Sequence, residues 1–281
     1  MPAPTFSPRV IRIDDVDDPR VADYRALREA DLAGRRRAFI AESEVVLRVL
    51  VTRGRFPIRS VFLADSRLGK VADALHGLDP DVPVYVAPQA VLSGVVGFRF
   101  HRGIVASGER LDDTTPEGVL ADRPAPCRVL VLEGLTNHDN VGGIFRNAAA
   151  FGASAVVLDP TTCDPLYRKA IRVSVGGSLV VPYARASSSA AAIAATKKAG
   201  FTTVALSPSS SAIPMEELFA TEVPDRVALM VGTEGPGLTA ESMAAADVVC
   251  RIEMAPGFDS LNVGTATGIA LHRLFARQRP R

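Results

Sequence analysis

From residue 127 onward, short apolar runs of strand length alternate with stretches whose apolar residues recur at helical spacing. The runs at 128–132, 155–158, 179–181, 202–206, 228–231 and 248–252 read as strands, and those at 142–151, 166–173, 190–198, 241–245 and 262–278 read as helices. Such alternation joins strand to strand through crossover helices, and strands that are apolar nearly throughout need both faces covered. The region is therefore predicted to be α/β with a mainly parallel sheet. An open sheet of this kind binds ligands at the carboxyl ends of its strands.

Three of these strands run into polar, glycine-containing loops. The first, 128–132, leads to 137–152, which holds Asn140, Gly142, Gly143 and Arg146. The second leads from Met230 through Gly232, Glu234, Gly235 and Gly237. The third leads from Ile252 through Glu253, Met254, Pro256 and Gly257 to Ser260, Leu261 and Asn262, which open the last helix. Three strand ends followed by polar loops suggest one shared site. At a helix start Ser260 can act as a cap or contact a ligand. Asn262, between Leu261 and Val263, is expected to face packed surface and to need partners for both its carbonyl and its amide. Arg146, four residues after Gly142, shares a helical face with Gly142 and Gly143. Glu234 reads either as a positioning carboxylate or as an acid favoured by a helix dipole. A Rossmann-type G-x-G-x-x-G opening the first strand-helix unit is absent, which disfavours a generic dinucleotide enzyme.

Together the three stretches resemble, in order, spacing and residue type, the three motifs of the SpoU/TrmH family of RNA ribose methyltransferases, in the knotted SPOUT superfamily. The resemblance implies a C-terminal segment threaded into a trefoil knot, a rare exception to unknotted topology. It implies S-adenosyl-L-methionine as cofactor, with Met230, Gly232, Gly237, Ile252, Met254 and Leu261 around it. It carries the essential arginine onto Arg146, with Asn140, Glu234, Ser260 and Asn262 completing the catalytic set, and it implies a homodimer formed through the knotted domain. The chain departs from the motifs twice, with Asp139 where the first often has proline and Glu253 where the third often reads Ile-Pro-Met. Glu253 thereby adds a charge beside the expected adenine pocket.

In the N-terminal part, helices are predicted at 19–31, 42–51 and 68–75 and strands at 59–63 and 82–86, after a loose proline-bearing arm over 1–10. The segments 39–44 and 97–104 resemble parts of the small L30e-like α/β domain that precedes the catalytic domain in many family members. The expected division is a substrate-binding domain over 1–110, a linker over 111–126 that lacks periodicity, and the methyltransferase domain over 127–281. Between residues 35 and 59 stand seven arginines against two acids. Arg35, Arg36 and Arg37 from this cluster, with Arg168 and Arg172 on a later helix, are candidates for contacting RNA phosphates; a solvated basic face is the alternative.

Length and composition leave room for this arrangement: 281 residues, 47% of them hydrophobic, with a mean hydropathy of +0.17. The net charge of +1 means that nucleic-acid contact must come from local patches. Cys127, Cys163 and Cys250 lie far apart without metal-ligand spacing, so they read as reduced thiols and no metal is expected. No apolar run reaches membrane-spanning length, and a soluble cytoplasmic protein is expected. The reading that follows is an RNA 2′-O-ribose methyltransferase acting on structured RNA, with 23S rRNA first. The alternatives are transfer RNA as substrate, or a catalytically lapsed RNA-binding assembly protein.

Overall fold

A computed structural model describes residues 9–25, 37–112, 114–218, 220 and 223–276. Contacts divide the chain into two units: 1–111 with 166–180, and 112–165 with 181–281.

The first unit carries a five-stranded sheet. Its strands are β1 (Arg9–Arg12), β2 (Ala38–Glu42), β3 (Ile58–Ala64), β4 (Pro83–Ala87) and β5 (Ile104–Glu109), in the order β1-β4-β3-β5-β2. β1 and β3 run parallel to β4, whereas β5 runs antiparallel to β2 and β3. Between them lie α1 (Glu44–Arg53), α2 (Asp65–Leu75) and α3 (Gln89–Val96). Phe62, Tyr24, Ile40 and Leu92 fill the core. The Tyr24 hydroxyl lies 2.7 Å from the Ser60 hydroxyl and accepts from the Ser107 amide at 3.2 Å, so its burial leaves no polar atom unpaired there.

Several boundaries differ from expectation. The last two residues of the predicted arm open an edge strand on β4, Arg9–Arg12. The helix expected over 19–31 is a 3-10 helix over Pro19–Tyr24, ended by Arg25 in extended conformation; 26–36, including Arg35 and Arg36, lies outside the described residues. Glu42 closes β2 instead of opening a helix, because Ser43 turns the chain at φ 93° and caps α1 through the Val46 amide.

The second unit carries a seven-stranded sheet: β6 (Cys127–Leu132), β7 (Ala155–Leu158), β8 (Tyr183–Arg185), β9 (Thr202–Leu206), β10 (Ile213–Pro214), β11 (Arg226–Val231) and β12 (Val248–Arg251). Their order is β10-β12-β9-β11-β6-β7-β8, and every pairing is parallel. The helices of the remaining chain are α4 (Pro116–Leu120), α5 (His138–Ala150), α6 (Arg168–Val173), α7 (Gly177–Val180), α8 (Ser189–Lys198), α9 (Met215–Leu218), α10 (Ala240–Ala245) and α11 (Val263–Ala276).

Strand alternation splits the sheet's apolar residues between two cores. Leu229 and Val231 join Ile144 and Phe145 of α5 and Leu271 of α11, while Ala228 and Met230 join Ala192 and Ile193 of α8 on the other face. The sheet is thus covered on both sides, as the apolar strands required.

Three expectations fail here for local reasons. The predicted linker contains α4, capped by Thr115, with Val119 and Leu120 buried in the second core; five residues are too few for periodicity to show. The run 179–181 closes the short helix α7, and the strand follows at Tyr183–Arg185, because three buried apolar residues fit either state. The segment 166–180, with α6 and α7, groups with the first unit, although its position in the sequence placed it in the catalytic domain.

Candidate active site

The four neighbouring strands β12, β9, β11 and β6 are parallel, so their carboxyl ends lie along one edge of the sheet. The three polar stretches leave from β6, β11 and β12. β9, which belongs to none of them, runs between β12 and β11.

Each loop is fixed by its own residues. Asn137 caps α5, its side-chain oxygen accepting from the Asp139 amide at 2.9 Å. The loop after β11 is a tight turn in which the Gly237 amide donates to the Thr233 carbonyl at 3.1 Å. A side chain at Gly232 would stand 2.3 Å from backbone atoms of Gly237 and Leu238, and Gly237 itself has φ 76°, so the turn closes only with glycine at both positions. After β12, Asn262 caps α11: its side-chain oxygen accepts from the amides of Gly264 at 2.9 Å and Thr265 at 3.2 Å.

The Asn262 amide nitrogen joins all three stretches. It donates to the Asn140 side-chain oxygen at 2.9 Å and to Glu234 Oε1 at 3.1 Å. Both ends of Asn262 are therefore satisfied, as its position demanded. It is exposed and not packed, unlike the expectation from its apolar neighbours. Asn140 is buried and Glu234 exposed. Glu234 is thereby a partner to Asn262.

A pocket opens between the second and third of these loops. Ile252, Met254 and Leu261 line it with Gly232, Glu234, Gly237 and Ser260, whereas Asn140 and Arg146 of the first stretch are not in its lining. Leu206, Ser207 and Pro208 from the end of β9 also line it. The residue types of 206–208 carry no signal of their own, and their place after a parallel strand is what could have found them. The Met230 side chain is fully buried in the opposite core, and the side chain of Val231 lines the pocket. This follows from the alternation of β11. Ser260 is exposed, and its hydroxyl lies 3.3 Å from the Asp259 carboxylate. Glu253 points out of the pocket, 64% exposed and 3.9 Å from the Arg251 guanidinium, so its charge is answered outside the apolar lining.

Arg146 stands exposed on α5, and among the described residues its guanidinium has no hydrogen bond or ion pair. Its neighbour Asn147 donates to the Gly264 carbonyl at 2.8 Å, which ties α5 to the first turn of α11. Asn147 was not among the residues singled out from the sequence.

The remaining candidates lie in the first unit. Arg37 is exposed, and its carbonyl accepts from the Arg110 amide at 2.8 Å. Arg168 and Arg172 both face Glu42, at 3.0 and 3.6 Å. Among the described residues no group of three or more His, Cys, Asp or Glu is placed to hold a metal, and no helix is long and apolar enough to cross a membrane. Burial pushes the thiol of Cys163 up to about 11 and that of Cys250 to about 12, which keeps both protonated.

A doubly covered parallel sheet, with a pocket at its carboxyl edge closed by a glycine turn and the start of a C-terminal helix, defines an α/β ligand-binding protein. Residues 128–272 match the SpoU rRNA Methylase family. An uncharacterized tRNA/rRNA methyltransferase of Mycobacterium tuberculosis is 41% identical over 263 residues, covering 92% of this chain and 89% of the relative. The 23S rRNA (guanosine-2′-O-)-methyltransferase RlmB of Ralstonia nicotianae is 28% identical over 236 residues, covering 82% and 93%. In fold, the chain is similar to an AdoMet-bound rRNA methyltransferase from Sinorhizobium meliloti, with a TM-score of 0.78 at 23% identity over 96% of this chain and 99% of that one. The chain belongs to the SpoU rRNA methylase family.

Proposed function

We propose that this chain is an S-adenosyl-L-methionine-dependent RNA 2′-O-ribose methyltransferase, with 23S rRNA as its substrate class. The observation that carries the reading is the Asn262 amide, which draws Asn140 and Glu234 together beside the pocket. The pocket's chemistry fits the cofactor. Leu206, Val231, Ile252, Leu261 and Val263 offer an apolar slot for an adenine ring, and the turn from Gly232 to Gly237 brings backbone groups to its edge. When bound, S-adenosyl-L-methionine supplies an electrophilic methyl group.

The chain's own residues do the rest. Arg146 cannot act as a general base at neutral pH, since guanidinium stays protonated. It orients the ribose 2′-hydroxyl and an adjacent phosphate, and it stabilises the alkoxide that develops as the proton leaves to water. Its lack of a partner among the described residues leaves its donors available for that work. Asn140, Glu234 and Asn262 hold the three loops in register, and Ser260 presents a hydroxyl at the pocket wall. Residues Arg37, Arg168 and Arg172, with Arg35 and Arg36, contact RNA. The reading includes the trefoil threading of the last segment, an L30e-like first unit, and a homodimer through the second.

The test is transfer of labelled methyl from S-adenosyl-L-methionine to unmodified rRNA and tRNA pools, followed by nucleoside mass analysis, with Arg146→Ala alongside. A 2′-O-methylated nucleoside from the rRNA pool, lost in the variant, is the expected result. Product from the tRNA pool alone would move the substrate. No transfer and no cofactor binding would leave a lapsed RNA-binding protein.

A further inference from the structure

Helices α5 and α11 meet along a face of small residues. Gly264 and Gly268, one turn apart on α11, lie against Gly143 and Asn147, one turn apart on α5. A side chain at Gly264 would stand 4.0 Å from the Gly143 carbonyl carbon, and one at Gly268 would stand 2.9 Å from Asn147 Nδ2. Into this groove the half-buried Asn147 lowers its amide, which donates to the Gly264 carbonyl at 2.8 Å. The Gly264 N–H in turn donates to Asn262 Oδ1 at 2.9 Å, and Asn262 Nδ2 donates to Asn140 Oδ1 at 2.9 Å. Hydrogen bonds therefore run in a closed circuit, leaving α5 at Asn147 and returning to it at Asn140.

We propose that Asn147 is a positioning residue of the candidate active site: it closes this circuit and so fixes the rotation and register of α5 against α11. The inference rests on the proposed function for the reaction that this alignment serves. It adds a residue that lies outside the pocket lining.

The geometry decides what the tie controls. A helix held at one point still turns about its axis, whereas one held at two points two turns apart, Asn140 and Asn147, does not. Arg146 directly precedes Asn147, so any rotation of α5 swings its guanidinium through the same angle. The pocket is lined by Val263 and Ala266 of α11 and by no residue of α5. A slip between the two helices therefore displaces Asn140 and Arg146 relative to the pocket and leaves the pocket itself intact. Misplacing a reacting group by about 1 Å costs up to about 10²-fold in rate.

The experiment compares the full chain with Asn147→Asp and Gly268→Ala in steady-state methyl transfer, calorimetric cofactor binding, thermal melting and crystal structure. Asn147→Asp keeps the shape but sets a carboxylate against the Gly264 carbonyl. Gly268→Ala leaves Asn147 in the sequence and pushes its amide off that carbonyl. Each should lower kcat by about 10–100-fold, with KM for RNA and the cofactor Kd within about twofold of wild type. In both variant structures Asn140 Oδ1 should lie beyond hydrogen-bond reach of Asn262 Nδ2.

Wild-type kcat in both variants would overturn the proposal, as would an Asn140–Asn262 bond retained in both structures. So would a fall in rate that only follows the folded fraction, since that marks a helix contact that stabilises without aligning. Wild-type protein that binds cofactor yet transfers nothing would sink the proposed activity. The variant structures then decide the tie alone: an opened Asn140–Asn262 bond upholds it and an intact one removes it.

Discussion

In the second unit one neutral amide, that of Asn262, serves two acceptors from two other loops; in the first unit one carboxylate, that of Glu42, serves three guanidinium groups. The first junction is balanced, because its donors find acceptors and its net effect is to lock geometry. The second gathers three like charges on one carboxylate at a partly open surface. A locked, neutral junction suits a place where atoms must be aligned, and a carboxylate shared by three guanidiniums suits a place where segments distant in sequence must be tied together. The same side-chain economy thus separates the two tasks.

The strongest test removes the exposed cation of α5, the helix that also carries Asn140. Arg146→Ala should lower methyl transfer by about 10²–10³-fold with cofactor affinity unchanged. Arg146→Lys should recover little, since a point charge cannot replace the fork. Steady-state kinetics with calorimetric cofactor binding separates the two effects.

Next is the anion of the second junction. Glu42→Ala removes the carboxylate that three packed guanidiniums share and should cost about 3 kcal/mol in urea denaturation. Glu42→Gln should cost less, because the amide oxygen still accepts.

Asn262 tests whether the balanced junction aligns or merely stabilises. Asn262→Ala removes the cap of α11 and should cost about 1–2 kcal/mol. Asn262→Asp keeps the cap but sets a carboxylate against Glu234 and the Asn140 oxygen. It should melt near the wild type while methyl transfer falls; normal transfer would mean that the junction only stabilises.

The smallest effect serves as a control away from both. Asp247 accepts from Lys197 Nζ and from the Thr203 amide and hydroxyl, and the Lys197 ammonium brings its carboxyl down to about 2. A lowered folded value means stability present above the unfolded value of about 3.9 and lost as pH falls through about 2. The side chain is 39% exposed, so after solvent screening Asp247→Asn should cost no more than about 1 kcal/mol at neutral pH. The gap between variant and wild type should close in acid melts.

The alternating pattern made most of the second unit's strands legible: 155–158 and 202–206 are as expected, because buried parallel strands are written as unbroken apolar runs, while the short β8 and β10 were not found. The pocket's β11 and β12 walls were legible for a different reason, since glycines and capping residues report local backbone geometry. What lay beyond reach was set by tertiary partners. Nothing in Leu206 to Pro208 marks it as pocket wall until β9 is known to lie between β11 and β12. Arg168 and Arg172 read as phosphate contacts or a solvated basic face, and only the fold brings Glu42, more than a hundred residues earlier, against them. Asn147 is one more polar residue on a helix until Gly264 is beside it.

The excursion of 166–180 into the first unit has a consequence for anyone dividing the gene. Neither unit is one continuous piece of chain, so no single cut between 111 and 127 yields two complete halves. A fragment ending at Leu111 would lack α6 and two of the three arginines at Glu42, and a fragment starting at Asp112 would carry α6 and α7 without the sheet they belong to. The reading frame has woven the two parts together: each is synthesised around an interruption by the other, and neither is finished when the ribosome first passes the apparent boundary.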